Sequence, residues 1–256
     1  MINQKERPLV RSLRVPAGIA IVITATVAAA LIARPGDPAR TPAAAPTTPS
    51  ATPTAASTPA PGPTPTPTKA AGRLQPLPRM VPTHADGAYK TAPGTAKAHD
   101  GDGTTVRYLV EVERGLPYTP AEFAEAVHLI LNDPRGWGHR FVRVAEGPVD
   151  LRVSLTSPAE ARQRCLPLDV GLALSCFQGG RAVINADRWN TGAPSYGRDI
   201  ATYREYLISH EVGHGLGHGH TTCPGPGRAA PVMVQQTKSL YGCDPNPWPH
   251  PGRADR

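Results

Sequence analysis

The residues best suited to chemistry lie between His210 and His220, in the string HEVGHGLGHGH. His210 and His214 are four apart, so on a helix they sit one turn above each other on one face. Two neutral imidazoles placed that way can hold one Zn²⁺. Glu211 is not positioned as a third ligand beside them, but its carboxylate can reach a water at the metal and serve as general base. Gly217 lets the backbone leave the helix at positive φ. His220, six residues past His214, can then return to complete a three-histidine site. Three protein ligands leave a fourth position open, which is the arrangement of a catalytic zinc rather than a structural one. The expected cofactor is therefore one Zn²⁺ per chain, held by His210, His214 and His220, with Glu211 as the catalytic residue. A His/Gly-rich tract that picks up metal weakly needs no Glu and no Gly at fixed offsets. His218 lies outside the pattern and is expected to face solvent or to support a ligand.

These residues need a helix to present them. Ile200, Tyr203, Leu207, His210 and His214 recur at helical spacing, which predicts a helix from near Arg198 into the motif. Gly213, Gly215, Gly217 and Gly219 alternate there, although Gly inside a helix costs up to ~1 kcal/mol relative to Ala. The pattern predicts that room is needed beside the metal, for close backbone or for substrate. Upstream, TVRYLVEVER (Thr105 to Arg114) alternates as a strand. Thr119-Pro120-Ala121-Glu122 reads as a capping box opening a helix whose Phe123, Val127, Ile130 and Leu131 form a core-facing stripe. His128 on that helix is expected to be a partly buried structural histidine. HRFVRVAE from His139, VDLRVSLTS from Val149 and RAVIN (Arg181 to Asn185) read as further strands.

The first 85 residues have a different character. Lys5, Arg7, Arg11 and Arg14 precede an uncharged run from Val15 to Ala33. That run is long enough to cross a bilayer and exceeds a usual signal-peptide core, so an uncleaved signal-anchor is expected, with residues 1–14 cytoplasmic. Cleavage near Ala28-Ala29-Ala30 is the alternative, giving a secreted protein. Residues 34–85 are rich in Pro, Thr and Ala and are expected to form a disordered linker, with a catalytic domain over 86–251 and a tail over 252–256. A Pro-rich stalk of that length spans on the order of 100 Å. The net charge of +7 is also local. Residues 1–79 carry nine Lys or Arg against Glu6 and Asp37, leaving eighteen of each sign among the 27 basic and 20 acidic residues. The basic balance reports membrane topology, and nucleic acid is not an expected partner. The oligomeric state is not written in the sequence.

Cys165, Cys176, Cys223 and Cys243 all lie in the part expected outside the cytoplasm, where an even count favours disulfides. Four cysteines allow three pairings. Cys165–Cys176 and Cys223–Cys243 are preferred because each closes a local loop, and the second braces a segment poor in regular structure. No C-x-x-C pair supports cysteine zinc ligands.

The string H-E-x-x-H-x-x-G-x-x-H, followed by Met233 in a Pro-flanked turn, resembles the metzincin metallopeptidases. That resemblance implies that Met233 forms an apolar floor beneath the metal. Gln235 departs from the metzincin subfamilies that carry a tyrosine two residues after the methionine; Tyr241 is the nearest tyrosine available. DPRGW, INADRW, YREY, CPGPG, APVM, QQT and NPWP together look like an actinobacterial family of membrane-anchored or secreted proteins, catalogued as a domain of unknown function and related to zincins. The resemblance covers most of residues 87–250. It implies an α+β, zincin-like fold: a twisted mixed β-sheet over an active-site helix, with a small C-terminal subdomain. The expected function is a zinc endopeptidase acting on a peptide or protein substrate, the cell envelope being one source of it, outside the membrane that the N-terminal helix crosses. A zinc-binding interaction module without activity and a cell-wall peptide amidase are the alternatives.

Overall fold

A computed structural model describes residues 67–100 and 102–253. The expected membrane segment, and the linker up to residue 66, lie outside the described residues. Among those described, no helix is long and apolar enough to cross a membrane. The chain runs through β1 (Lys69–Ala70), β2 (Arg73–Leu74), β3 (Tyr89–Thr91), β4 (Thr105–Glu113), α1 (Pro120–Leu131), β5 (Arg140–Arg143), β6 (Leu151–Thr156), α2 (Pro158–Arg164), β7 (Cys176–Gln178), β8 (Arg181–Asn185), α3 (Ala186–Thr191) and α4 (Ile200–Gly215). The fold is mixed α+β.

The expected linker ends earlier than residue 85. β1 and β2 pair as a small antiparallel ribbon, and the chain then docks on α4. Gln75 is buried, donating to the Asp199 carboxylate at 3.2 Å and accepting from the Ala201 N–H at 2.9 Å. Arg73 pairs with Glu205 at 2.6 Å. Composition alone missed this because the segment contributes backbone and polar contacts rather than an apolar stripe.

The main sheet has the order β3-β4-β6-β8-β7, with β5 also paired to β4. β4, β5, β6 and β8 are parallel, while β3 and β7 run antiparallel to their neighbours. Period-2 alternation assigns the two faces. Val106, Tyr108, Val110 and Val112 of β4, Val153 and Leu155 of β6, and Ala182 and Ile184 of β8 share one core with α1, α3 and α4. The four apolar positions expected on α1 are all buried in it. Thr119 caps α1 by accepting from Glu122 N–H, whereas the Glu122 carboxylate pairs with Arg79.

Val183 points to the opposite face, where α2 and the Cys165–Cys176 loop cover β8. That face also holds the buried Glu111, paired with Arg181 and accepting from Ser154 at 2.8 Å. His128 hydrogen-bonds the Tyr108 hydroxyl at 2.8 Å, a structural position as expected. Beyond α4 the described residues have almost no regular structure. A small cluster of Ala230, Val234 and Cys243 holds it together, closed by the Cys223–Cys243 bridge.

Candidate metal centre

α4 is built to end where the chemistry begins. Asp199 caps its start by accepting from Thr202 N–H at 3.1 Å. At the other end, Gly217 N–H donates to His214 O at 3.0 Å and His218 N–H donates to Gly213 O at 3.0 Å. These two bonds form a Schellman closure, and Gly217 takes the required positive φ of 91°. The chain is thereby turned back so that His220 faces His210 and His214.

The three rings converge. One ligand atom from each of His210, His214 and His220 lies within 4.8 Å of the others, close enough to hold a metal ion. Backbone carbonyls orient two of them. His210 Nδ1–H donates to Val232 O, and His214 Nδ1–H donates to His218 O, each at 2.8 Å. Those bonds fix the tautomer and leave each Nε2 with its lone pair toward the centre, the usual arrangement of a metal-ligating histidine. His214 Nε2 and His220 Nε2 approach to 3.1 Å, a contact that an Nε2–H on His220 satisfies without metal and that places two lone pairs toward one cation with it. Burial pushes His210 down to about 3, and the neighbouring histidine rings push the same way. His214 and His220 are also lowered, chiefly by burial. All three thus favour the neutral form that binds metal.

Glu211 lines the same cleft as the three histidines and is only 5% exposed. Burial raises its carboxyl to about 8, with no hydrogen bond or charge acting against it among the described residues. A carboxylate held so is a strong proton acceptor and gains most from a nearby cation.

Met233 is buried, and its sulfur lies against Gly213, one residue before His214. The turn that carries it is held by Val234 N–H to Pro231 O at 2.9 Å and by Thr221 N–H to Met233 O at 3.0 Å. At Gly213 and Gly215 the expected room for close backbone or substrate is absent. A Cβ on Gly213 would sit 2.5 Å from Trp137 and 2.7 Å from Met233, and one on Gly215 would sit 2.6 Å from Phe177. The space at these two glycines is filled by aromatic and thioether side chains. His218 stacks on Trp137 at 4.2 Å, and Trp137 Nε1–H donates to Ser209 O at 2.9 Å.

Several positioning residues were not singled out from the sequence. Tyr206, one turn before His210, donates from its hydroxyl to Val234 O and accepts from Gln236 N–H. Gln236 is fully buried, bonding Tyr196 at 2.8 Å and the Asn246 backbone on both sides. This network ties the methionine turn to the helix that carries the histidines. The only signal for it was the YREY, QQT and NPWP strings themselves. Gln235 lines the cleft, whereas Tyr241 is 60% exposed and does not. Both expected disulfides form, Cys165–Cys176 and Cys223–Cys243, which suits a domain outside the reducing cytoplasm.

A sequence model of the family described as protein of unknown function DUF3152 matches residues 76–244, about two thirds of the chain. The chain belongs to that family. No curated protein matches it. The DUF3152 match begins one residue after Gln75, the side chain that joins Asp199 in capping α4. It takes in every residue of the histidine cluster and both disulfides.

Proposed function

We propose that this domain is a zinc-dependent endopeptidase of the metzincin type, displayed outside the cytoplasm on a membrane-anchored stalk. The observation that carries the reading is the convergence of three imidazoles, two of them oriented by backbone carbonyls, in one cleft with a buried, unpaired Glu211. The donor set fits zinc: three nitrogen ligands, two with their Nδ1–H committed to backbone oxygen. Zinc bound there supplies Lewis acidity, polarising a scissile carbonyl and acidifying water.

The chain's own residues do the rest. Glu211 accepts a proton from the attacking water on a carboxylate oxygen and passes it to the departing amine. Met233 gives the histidines an apolar, immobile floor. β7 pairs with β8 on one side only among the described residues, and its residues Cys176 and Phe177 line the cleft. An extended peptide can add to that edge as a strand, which brings its backbone past the histidines.

A full-length preparation tests this with an unbiased peptide library, with and without a zinc chelator. Chelator-sensitive cleavage is the expected result. Stoichiometric zinc with no cleavage of peptides, proteins or peptidoglycan would instead favour the interaction-module alternative. Cleavage of peptidoglycan alone would favour the wall amidase.

A further inference from the structure

The cleft, about 380 Å³, has two unlike walls. Gln235, Thr237 and Lys238 form a polar one. The other is mainly apolar, made by Leu168, Val170 and Leu174 of the disulfide-closed loop together with Phe177 of β7; Asp169, which pairs with Arg162, and Ser175 are the polar residues this loop adds to the lining. The apolar wall is held in place. The Cys165–Cys176 bridge closes both ends of the loop, Asn185 Nδ2–H donates to Leu172 O at 3.0 Å, and Arg188 Nε–H donates to Ala173 O at 2.7 Å. Asn185 is itself fully buried and also caps α3, accepting from Asp187 N–H at 3.0 Å. The INADRW string therefore has a structural purpose: it pins this loop.

A loop so fixed cannot fold its leucines away from water. Leu168 remains 51% exposed on the wall of the cleft. Apolar surface kept open beside a reaction centre is stabilised when a ligand's apolar group covers it.

We propose that this wall is a side-chain subsite, and that the substrates are extended peptides with a bulky apolar residue, aliphatic or aromatic, close to the scissile bond. The inference rests on the hydrolase reading of the same cleft. A peptide lying along β7 turns alternate side chains to opposite sides. One of each pair then meets Leu168, Val170 and Phe177, while small or charged side chains leave that surface wet. Gln235, Thr237 and Lys238 each end in a polar group, so the discrimination belongs to the loop.

Binding is measured with the full-length Glu211→Gln variant, loaded with zinc, using fluorescein-labelled peptides that carry Leu, Phe, Ala or Asp at one position. The Leu and Phe peptides are expected to bind about tenfold or more tightly than the Ala and Asp peptides. Adding Leu168→Asp is expected to reduce that ratio below about threefold. Leu168 is half exposed, so this change leaves the fold intact, which melting temperature and zinc content verify. An equal ranking of the four peptides, or a ranking that Leu168→Asp does not alter, overturns the subsite. Wild-type cleavage of the same peptides is read separately: preference in binding with no cleavage leaves the subsite standing and removes the hydrolase reading.

Discussion

Replacing Gly213 by alanine is a sharp test of how the site is packed, because two effects oppose each other there. Gly213 lies inside α4, where alanine ordinarily gains about 1 kcal/mol. Here a Cβ would meet Trp137 at 2.5 Å and Met233 at 2.7 Å. Neither neighbour can step aside freely. Trp137 is bonded through its indole N–H to Ser209 O, and Met233 is buried in a turn tied to Thr221. Overpacking of this kind costs about 1–3 kcal/mol, and with short contacts to two fixed groups the upper half of that range applies. The net expectation is a loss of about 1–2 kcal/mol, or roughly 2–8 °C in melting temperature for a domain of this size. Displacing Met233 also moves Val232, whose carbonyl orients His210. Zinc affinity is therefore expected to fall about tenfold. The assay is thermal unfolding with and without zinc, beside a zinc titration against a competing chelator. Gly219→Ala is the control, because nothing lies within 4 Å of its Cβ, and it is expected to stay within about 0.5 kcal/mol of the parent. A Gly213→Ala domain that melts higher than the parent and binds zinc equally well would refute this account of the packing.

Other consequences follow from the same geometry. Substituting His210, His214 or His220 by alanine should remove stoichiometric zinc, read by elemental analysis. Removing the Cys165–Cys176 bridge, which spans 11 residues of sequence, should lower stability by roughly 3 kcal/mol and blur side-chain selectivity, read by melting and by peptide profiling. Gln236→Ala leaves the buried Tyr196 hydroxyl and Asn246 N–H without their partner and should cost about 1–3 kcal/mol in a denaturant titration. The metal-free domain should show a distinctive pH profile. His210, lowered from 6.5 to about 3, adds stability above pH 6.5 that is lost as pH falls through 3. Glu211, raised from 4.5 to about 8, adds stability below pH 4.5 that is lost as pH rises through 8. Between 4.5 and 6.5 the two slopes cancel, so their joint contribution should be level there, declining toward pH 3 and toward pH 8. Zinc should abolish the alkaline decline, because a cation stabilises ionised Glu211; melting against pH with chelator or zinc checks both statements.

What could be read in advance was local. The histidine pair, the turn at Gly217 and the return of His220 are fixed by spacing within eleven residues, so one helical turn and the glycine-closed turn after it bring them together. The long strand at Thr105–Glu113 and the helix after Thr119 carry clear periods and lie where the pattern puts them. Short elements were harder. β3 and β7 have three residues each, too few to show alternation. α2 was missed although Ser157-Pro158-Ala159-Glu160 repeats the type of signal at Thr119; in the fold, Ser157 gives its hydroxyl to Glu113 rather than to its own helix. The network of Tyr206, Gln236 and Asn246, like the docking of Gln75 on α4, joins residues distant in sequence and has no local period at all.

On the proposed reading the three histidines hold zinc for Glu211 to use. The decisive comparison is of the parent chain with Glu211→Gln, for zinc content and peptide hydrolysis in the same preparations. One zinc per chain is expected in both, with a loss of hydrolysis of about a thousandfold or more, on the order of the largest effects of general acid–base residues, in the variant alone. Equal hydrolysis by the two proteins, or no zinc in the parent, would contradict that reading.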